Sequence, residues 1–433
     1  MSYVGTEAGL LTGKLVRLPN RKLLPNIIYQ SSCDSYNLGF AGALNSNVVS
    51  GGIGLSERDA EMSTIGEFVE RYSSGFITKD RLQYGSYKEL KAKGENVLSP
   101  SLIKLYSEEQ YKQFAKDGFD IVSFDEDESV HWIRGVDLKN DDQIIWMPAF
   151  LVFLPHDSFG VERSYLIQTS TGLSAGDSIE GAQIGGFLES AERNAFCDWW
   201  YFQKEVPIYN VESILKHYEN DKDYELLKKL IVTNKIKMKF FDLSGLGAVN
   251  TVVCFMFFWH KGKFMQSMGC SSRFTFKDAL IKAVLESYQG VELAIMLDDD
   301  QALKDLEPET SMLGIDTFNK HFAFYNSFPQ YRNRVPIIKR AMKDFAEVIP
   351  VKEDYESYHM SDFSKESIKK LDVPHVIRVD VTAGDVDTLG FKVVRVFVPG
   401  WAYLTGMHGF PFLGADIFKD KDDLFTKWPH PFP

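Results

Sequence analysis

Glu67-Phe68-Val69-Glu70-Arg71 and Glu189-Ser190-Ala191-Glu192-Arg193 spell one pentad, E-x-x-E-R, twice in the same chain. On a helix, carboxylates three residues apart stand on one face, a turn from each other. A single copy reads as a solvated salt-bridge face. Two copies on converging helices gather four carboxylates around one point, the donor set of a hard cation such as Mg2+. Each copy follows a loop of small residues, Val49-Ser50-Gly51-Gly52-Ile53-Gly54 and Thr171-Gly172-Leu173-Ser174-Ala175-Gly176. Such loops offer backbone N–H groups and a favourable helix dipole to phosphate oxygens. The pattern points to a metal-bound polyphosphate.

Outward from the pentads, periodicity predicts three helices. The first spans about Glu57 to Tyr72, with Ile65, Phe68, Val69 and Tyr72 as its core stripe and Ser63, Glu67, Glu70 and Arg71 on the other side. The second spans about Ser178 to Trp200, capped by Ser178 or Asp177, with Ile184, Leu188, Ala191 and Ala195 inward. The third spans about Phe276 to Leu297, burying Leu280, Ile281, Val284, Leu285 and Tyr288 while Glu286 emerges. Runs rich in β-branched and aromatic residues predict strands over Ile144 to Leu154, Thr251 to Trp259 and Val393 to Val398. The expected fold class is α/β (mixed α+β), with helices packed on mixed sheets in a single elaborated domain. Residues 80–130, 205–237 and 299–358 read as insertions, with short helices expected over Ser86 to Gly94 and Glu108 to Gly118.

Composition narrows the function. Hydrophobic residues make up 44% and charged residues 25% of 433, as in a globular protein with ample core. A net charge of −12 argues against nucleic acid or an anionic membrane as the main partner, since both demand a positive surface. Cys33, Cys197, Cys254 and Cys270 are scattered and form no C-x-x-C pair, which argues against a thiolate zinc site and fits a reducing compartment. With no signal-peptide pattern and no apolar run of spanning length, a cytoplasmic protein is expected. Gly9-Leu10-Leu11-Thr12-Gly13-Lys14-Leu15 is too short for a P-loop, and Gly245-Leu246-Gly247 lacks the third glycine of a dinucleotide fingerprint. Any nucleotide site is therefore of another kind. The chain ends Pro429-His430-Pro431-Phe432-Pro433: either a frayed terminus or a stiff extended rod able to deliver its carboxylate into a cavity.

From about residue 45 to its end the sequence resembles the YcaO family. The blocks that carry the resemblance are Ser63 to Arg71, Ser170 to Asp177 running into Glu189 to Arg193, Ala279 to Gln289, and Val398-Pro399-Gly400-Trp401. The terminal P-x-P-x-P resembles the azoline-forming branch, the cyclodehydratase "D" proteins of ribosomal peptide natural products and bacteriocins. The resemblance implies a 45–433 YcaO domain behind an N-terminal extension, 1–44. It implies an enzyme that uses ATP and Mg2+ to convert Cys, Ser or Thr of a precursor peptide to thiazoline or oxazoline. The side chain attacks the preceding carbonyl, ATP phosphorylates the resulting oxygen, and phosphate leaves. By the same resemblance Glu67, Glu70, Glu189 and Glu192 hold Mg2+, and Arg71 and Arg193 contact phosphate or orient those carboxylates. Ser63, Asp177, Glu286 and Gln289 belong to the nucleotide site, and the Pro433 carboxylate assists proton transfer. Implied partners are the precursor peptide, a ThiF-like leader-peptide-binding protein and a flavin dehydrogenase, with a homodimer inside a larger complex. Gly181 stands where the family places glutamate, and Lys282 and Val291 stand where it places arginine. Those departures keep a non-catalytic assembly subunit open, alongside a thioamide- or amidine-forming enzyme.

Overall fold

Serine and threonine caps set the three long helices of the computed structural model, which describes residues 15–34, 49–156, 162–298, 306, 312, 314–343, 358–421 and 426–432. Ser56 caps Glu57–Ser74, Ser178 caps Ile179–Phe202 and Thr275 caps Phe276–Leu297. Each cap side chain accepts a first-turn N–H that the helix leaves unsatisfied. The spans agree with expectation to within two residues at each end.

The strands form three sheets. β1 (Leu15–Leu18), β2 (Tyr29–Asp34) and β3 (Val49–Gly54) make the first. β4 (Leu82–Ser86), β5 (Ser129–Asp137), β6 (Gln143–Pro148), β7 (Leu173–Gly176), β12 (Ile377–Asp380) and β13 (Lys392–Phe397) make the second, in the order β4-β5-β12-β13-β7 with β6 also on β5. β8 (Ile208–Tyr209), β9 (Ile236–Asp242), β10 (Asn250–His260) and β11 (Lys263–Arg273) make the third, in the order β11-β10-β9-β8. Every ladder among the described residues is antiparallel, so the expected mixed sheets are corrected. Hairpins such as β5–β6 and β10–β11 can join only antiparallel neighbours.

Three other expectations shift. The strand expected over Ile144 to Leu154 stops at Pro148, which has no N–H for the ladder, and Ala149–Leu151 turn as a 3-10 helix. Residues 15–34, inside the expected extension, form β1 and β2, which pair in one sheet with β3. The 80–130 segment holds helices Tyr87–Ala92 and Glu108–Asp117 but also contributes β4 and the first residues of β5. Helices Val211–His217 and Tyr224–Ile231 occupy 205–237, and Phe318–Ser327 and Pro336–Ala341 lie in the described part of 299–358.

The third sheet is covered on both faces. Val252, Cys254, Met256 and Phe258 share one core with Leu280, Val284 and Tyr288 of the third helix. Val253, Phe255 and Phe257 share another with Phe196, Trp199 and Trp200 of the second helix. Burial on both sides accounts for the continuous apolar run along β10, where a half-exposed strand would alternate. Among the described residues no helix is long and apolar enough to cross a membrane.

Candidate functional site

Two glycines let the pentad helices approach their strands. A Cβ on Gly52 would lie 2.2 Å from the Ala60 carbonyl oxygen. Gly172 turns with φ of 82°, and a Cβ there would lie 2.1 Å from the Val396 carbonyl oxygen. No other residue type fits either place.

The close approach brings all four pentad carboxylates onto backbone N–H groups. Glu67 accepts from Gly51 at 2.9 Å and Glu189 from Gly172 at 3.0 Å, each on the strand or loop before its own helix. The second glutamate of each pentad reaches a different unit. Glu70 accepts from Ala175 of β7 at 2.9 Å, and Glu192 accepts from Ser272 of β11 at 3.1 Å. Arg193 spans Glu192 (2.7 Å) and Glu189 (3.3 Å), so it orients carboxylates. On the third helix, Lys282 pairs with Glu286 at 3.4 Å, and Gln289 reaches over Gly51.

Between these elements lies a cavity of about 700 Å3. Glu67, Glu70, Glu189, Ser63, Arg71, Arg193, Glu286 and Gln289 line it, as does Lys282. Arg71 has no salt bridge among the described residues. Two sequence candidates are not brought there. Glu192 does not line the cavity; it is 7% exposed and held from behind by Arg193 and Ser272. Asp177 is exposed at the start of the second helix, its carboxylate accepting from the Ser178 hydroxyl. The twelve residues from Asp177 to Glu189 put about 18 Å of helix between them. Sequence reasoning missed Gln30, Ser31, Ser32 and Glu292, which also line the cavity. The three β2 residues fell inside the supposed extension; the run Gln30-Ser31-Ser32 on a strand was the available signal. Of the departures, Gly181 is exposed and Val291 is fully buried among apolar side chains of the third-helix core. A larger cleft of about 960 Å3 lies along Lys237, Met238 and Lys239 of β9. It holds none of the pentad residues, and the chemistry favours the smaller cavity.

Burial pushes Glu70 up to about 8, with Glu189 and Glu67 adding to the effect and the Ala175 N–H and Arg71 opposing it. Burial also raises Glu192, against the pull of Arg193. Arg193 itself stays above its ordinary value, because Glu192 and Glu189 outweigh its burial. Carboxylates so crowded call for positive charge. Among the described residues no three His, Cys, Asp or Glu side chains close on a point where they hold an ion unaided. Mg2+ characteristically takes one or two carboxylates and completes its shell with phosphate oxygens and water, so the donor set fits a nucleotide-bound ion.

The C-terminal rod is docked, not frayed. Tyr325 donates to the Pro429 carbonyl at 2.7 Å, and Trp200 Nε1 donates to that of Trp428. His430 Nε2 lies 2.9 Å from the Thr405 carbonyl oxygen while Nδ1 accepts from the Phe432 N–H, the pattern of a neutral imidazole. Phe432 packs edge-on against Phe196 and beneath Arg193. Pro433 lies outside the described residues.

Comparisons with known proteins identify the family and the fold. The family model described as YcaO cyclodehydratase, ATP- and Mg2+-binding, matches residues 51–402, and the chain belongs to the YcaO family. No curated protein matches the sequence. Among solved structures, 97% of the chain superposes on 55% of a heterocyclase in complex with substrate and cofactor (TM-score 0.69, 19% identity). It covers 97% of itself and 96% of a chain of the E. coli microcin synthetase McbBCD complex (TM-score 0.60, 16% identity). It covers 90% of itself and 86% of YcaO from Methanopyrus kandleri bound with AMPPCP and Mg2+ (TM-score 0.53, 18% identity). The chain spans about half the length of that first heterocyclase and of the heterocyclase TruD. At these identities the likeness is one of fold.

Proposed function

We propose that the chain is an ATP-dependent cyclodehydratase that closes thiazoline or oxazoline rings in a ribosomal precursor peptide. The observation that carries this reading is the cavity where Glu67, Glu70 and Glu189 face Arg71 and Lys282 at the junction of the two pentad units. Amide oxygen is a poor leaving group, and its phosphorylation makes it a good one. One or two carboxylates from among Glu67, Glu70 and Glu189 would hold Mg2+ on the nucleotide, and the ion would supply charge neutralisation to the phosphoryl group. The protein's own contribution is positioning. Arg71 and Lys282 attract phosphate oxygens, while Glu192 and Arg193 act from behind to hold Glu189. The Pro433 carboxylate takes up the proton released on ring closure, a role supported by the contact of its chain neighbour Phe432 with Arg193, which lines the cavity.

The likeness in fold to a chain of the E. coli microcin synthetase McbBCD complex supports a subunit role. The partners we propose are a ThiF-like leader-peptide-binding protein and a flavin dehydrogenase. The deciding experiment titrates Mg2+ and a non-hydrolysable ATP analogue into the protein by calorimetry, beside Glu67→Gln and Glu189→Gln. Binding by the wild type that both substitutions abolish is the expected result. Well-folded wild type that binds nothing, with and without partners, overturns the proposal and leaves an assembly subunit.

A further inference from the structure

Away from the pentads, one stretch of β9 is an open edge. β10 pairs along Ile236–Asp242, but β8 pairs only with Phe240 and Phe241. The Asp242 N–H donates outward, to the Pro207 carbonyl. Alternate residues of a strand present their N–H and C=O groups to the same side, so those of Phe240, Met238 and Ile236 also point outward. After Tyr209 the chain leaves the sheet, because Asn210 caps the helix Val211–His217. Among the described residues no strand continues the ladder beside Ile236 and Met238.

The cleft of about 960 Å3 follows this edge, with the exposed Trp259 as well as Phe264 and Met342 in its wall. A second cleft, of about 570 Å3, shares Val232 and Thr233 with it. Lys216, Lys237, Lys239 and Lys343 line the first, and three more lysines line the second. Among the described residues the acidic members of the two linings are Glu212 and Glu219 alone. On a chain of net charge −12 this is a local reversal of sign. Lysine on an edge strand commonly prevents pairing with stray strands. Lys237 and Lys239 project to one face of the sheet, however, and leave the edge groups themselves uncovered. They repel a basic strand and attract an acidic one. A nucleic acid would use the lysines, but only a peptide continues a ladder of backbone hydrogen bonds.

We propose that the β9 edge is a docking site for an extended acidic peptide segment, which adds to the third sheet as a further strand beside Ile236–Lys239. Backbone pairing at Ile236 and Met238 holds the segment, and the surrounding lysines select its acidic side chains. None of the pentad residues lines either cleft, so the proposal stands apart from the nucleotide reading.

The test measures fluorescence anisotropy of a short labelled peptide of alternating glutamate and valine, titrated with the full chain. Three further probes run beside it: the same peptide with lysine for glutamate, its fully N-methylated form, and an oligouridylate of like length. The acidic peptide is expected to bind, and the lysine and N-methylated forms to bind about tenfold more weakly or worse. Hydrogen exchange at the Ile236 and Met238 amides should slow when the acidic peptide is present. Lys237→Glu combined with Lys239→Glu should weaken the peptide about tenfold. Lys216→Glu combined with Lys229→Glu, at exposed helix positions, repeats the charge test should the first pair disturb the strand. Equal affinity for the N-methylated form overturns the proposal, because side-chain charge then suffices without an added strand. So does tighter binding of the oligouridylate, which makes the face a nucleic-acid surface. Wild type that does not bind the acidic peptide, or folded variants that bind it as the wild type does, overturn it equally.

Discussion

The guanidinium carbon of Arg193 lies 4.0 Å from the ring centroid of Phe432, which joins the last described residue of the chain to the second pentad. The aromatic face and the two carboxylates clamp the same cation from different sides. Phe432→Ala therefore removes a buried ring and loosens Arg193 together. It should destabilise the protein by about 3 kcal/mol and lower cyclisation, whereas deletion of Pro433 alone should lower cyclisation with little change in melting temperature. Denaturant titration and peptide mass spectrometry check both. Unchanged activity after removal of Pro433 would sink the proton-transfer role.

The two glutamates of a pentad should behave differently. Glu67→Gln leaves a neutral amide on the cavity wall, so melting temperature should hold while Mg2+–nucleotide affinity falls at least tenfold. Glu192→Leu leaves Arg193 buried with half its compensation and Ser272 N–H without its acceptor. About 3–5 kcal/mol of stability should be lost, read from unfolding curves without ligand. Equal stability losses would show that Glu192 is no more structural than Glu67.

Acid should release the tail. Burial pushes His430 down to about 3 and His408 down to about 4, and holds His321, stacked 3.9 Å from His430, well below its usual value. The unfolded chain titrates these imidazoles near 6.5, so below that it binds protons the folded chain refuses. Their contribution is whole above about pH 6.5 and declines progressively as pH falls toward 4. Melting temperature against pH, compared with His430→Phe, tests this; the variant's acid limb should be shallower.

Glycine contacts set a steric test. Gly52→Ala and Gly172→Ala should each prevent stable folding, because backbone carbonyls stand in the way. Gly245→Ala, with nothing within 4 Å of its new methyl, should melt like the parent. Expression and circular dichroism suffice.

How much of this was legible beforehand follows from where each signal resides. Helix termini were readable because Ser178 and the Ser56 and Thr275 caps are local chemistry, and β10 was readable because burial on both faces writes an unbroken apolar run. The place of β1 and β2 was not: Tyr-Gln-Ser-Ser-Cys-Asp carries no apolar alternation, and its partner β3 follows after fourteen more residues. Equivalence of the four glutamates was over-read for a similar reason. The pentads repeat, but the second helix is sandwiched where the first is half-open, and neighbouring layers decided that Glu192 turns inward. Asp177 was grouped with the pentad because a motif is linear, whereas a helix carries its two ends apart.

Four amides, Gly51, Gly172, Ala175 and Ser272, donate to the pentad carboxylates, so their hydrogen exchange is tied to the charge on the site. A proton on Glu70 weakens its hold on Ala175, and a cation drawn to the same oxygens competes for it. These backbone positions are thus built-in reporters: the exchange rate at Ala175 follows occupancy of the cavity, and that at Ser272 follows the hidden Glu192–Arg193 contact. The three strand–helix units are latched to one another by the groups that face or flank the cavity. Their opening and the emptying of the cavity should then appear as one event in an exchange experiment, with the site itself as the hinge-pin of local unfolding.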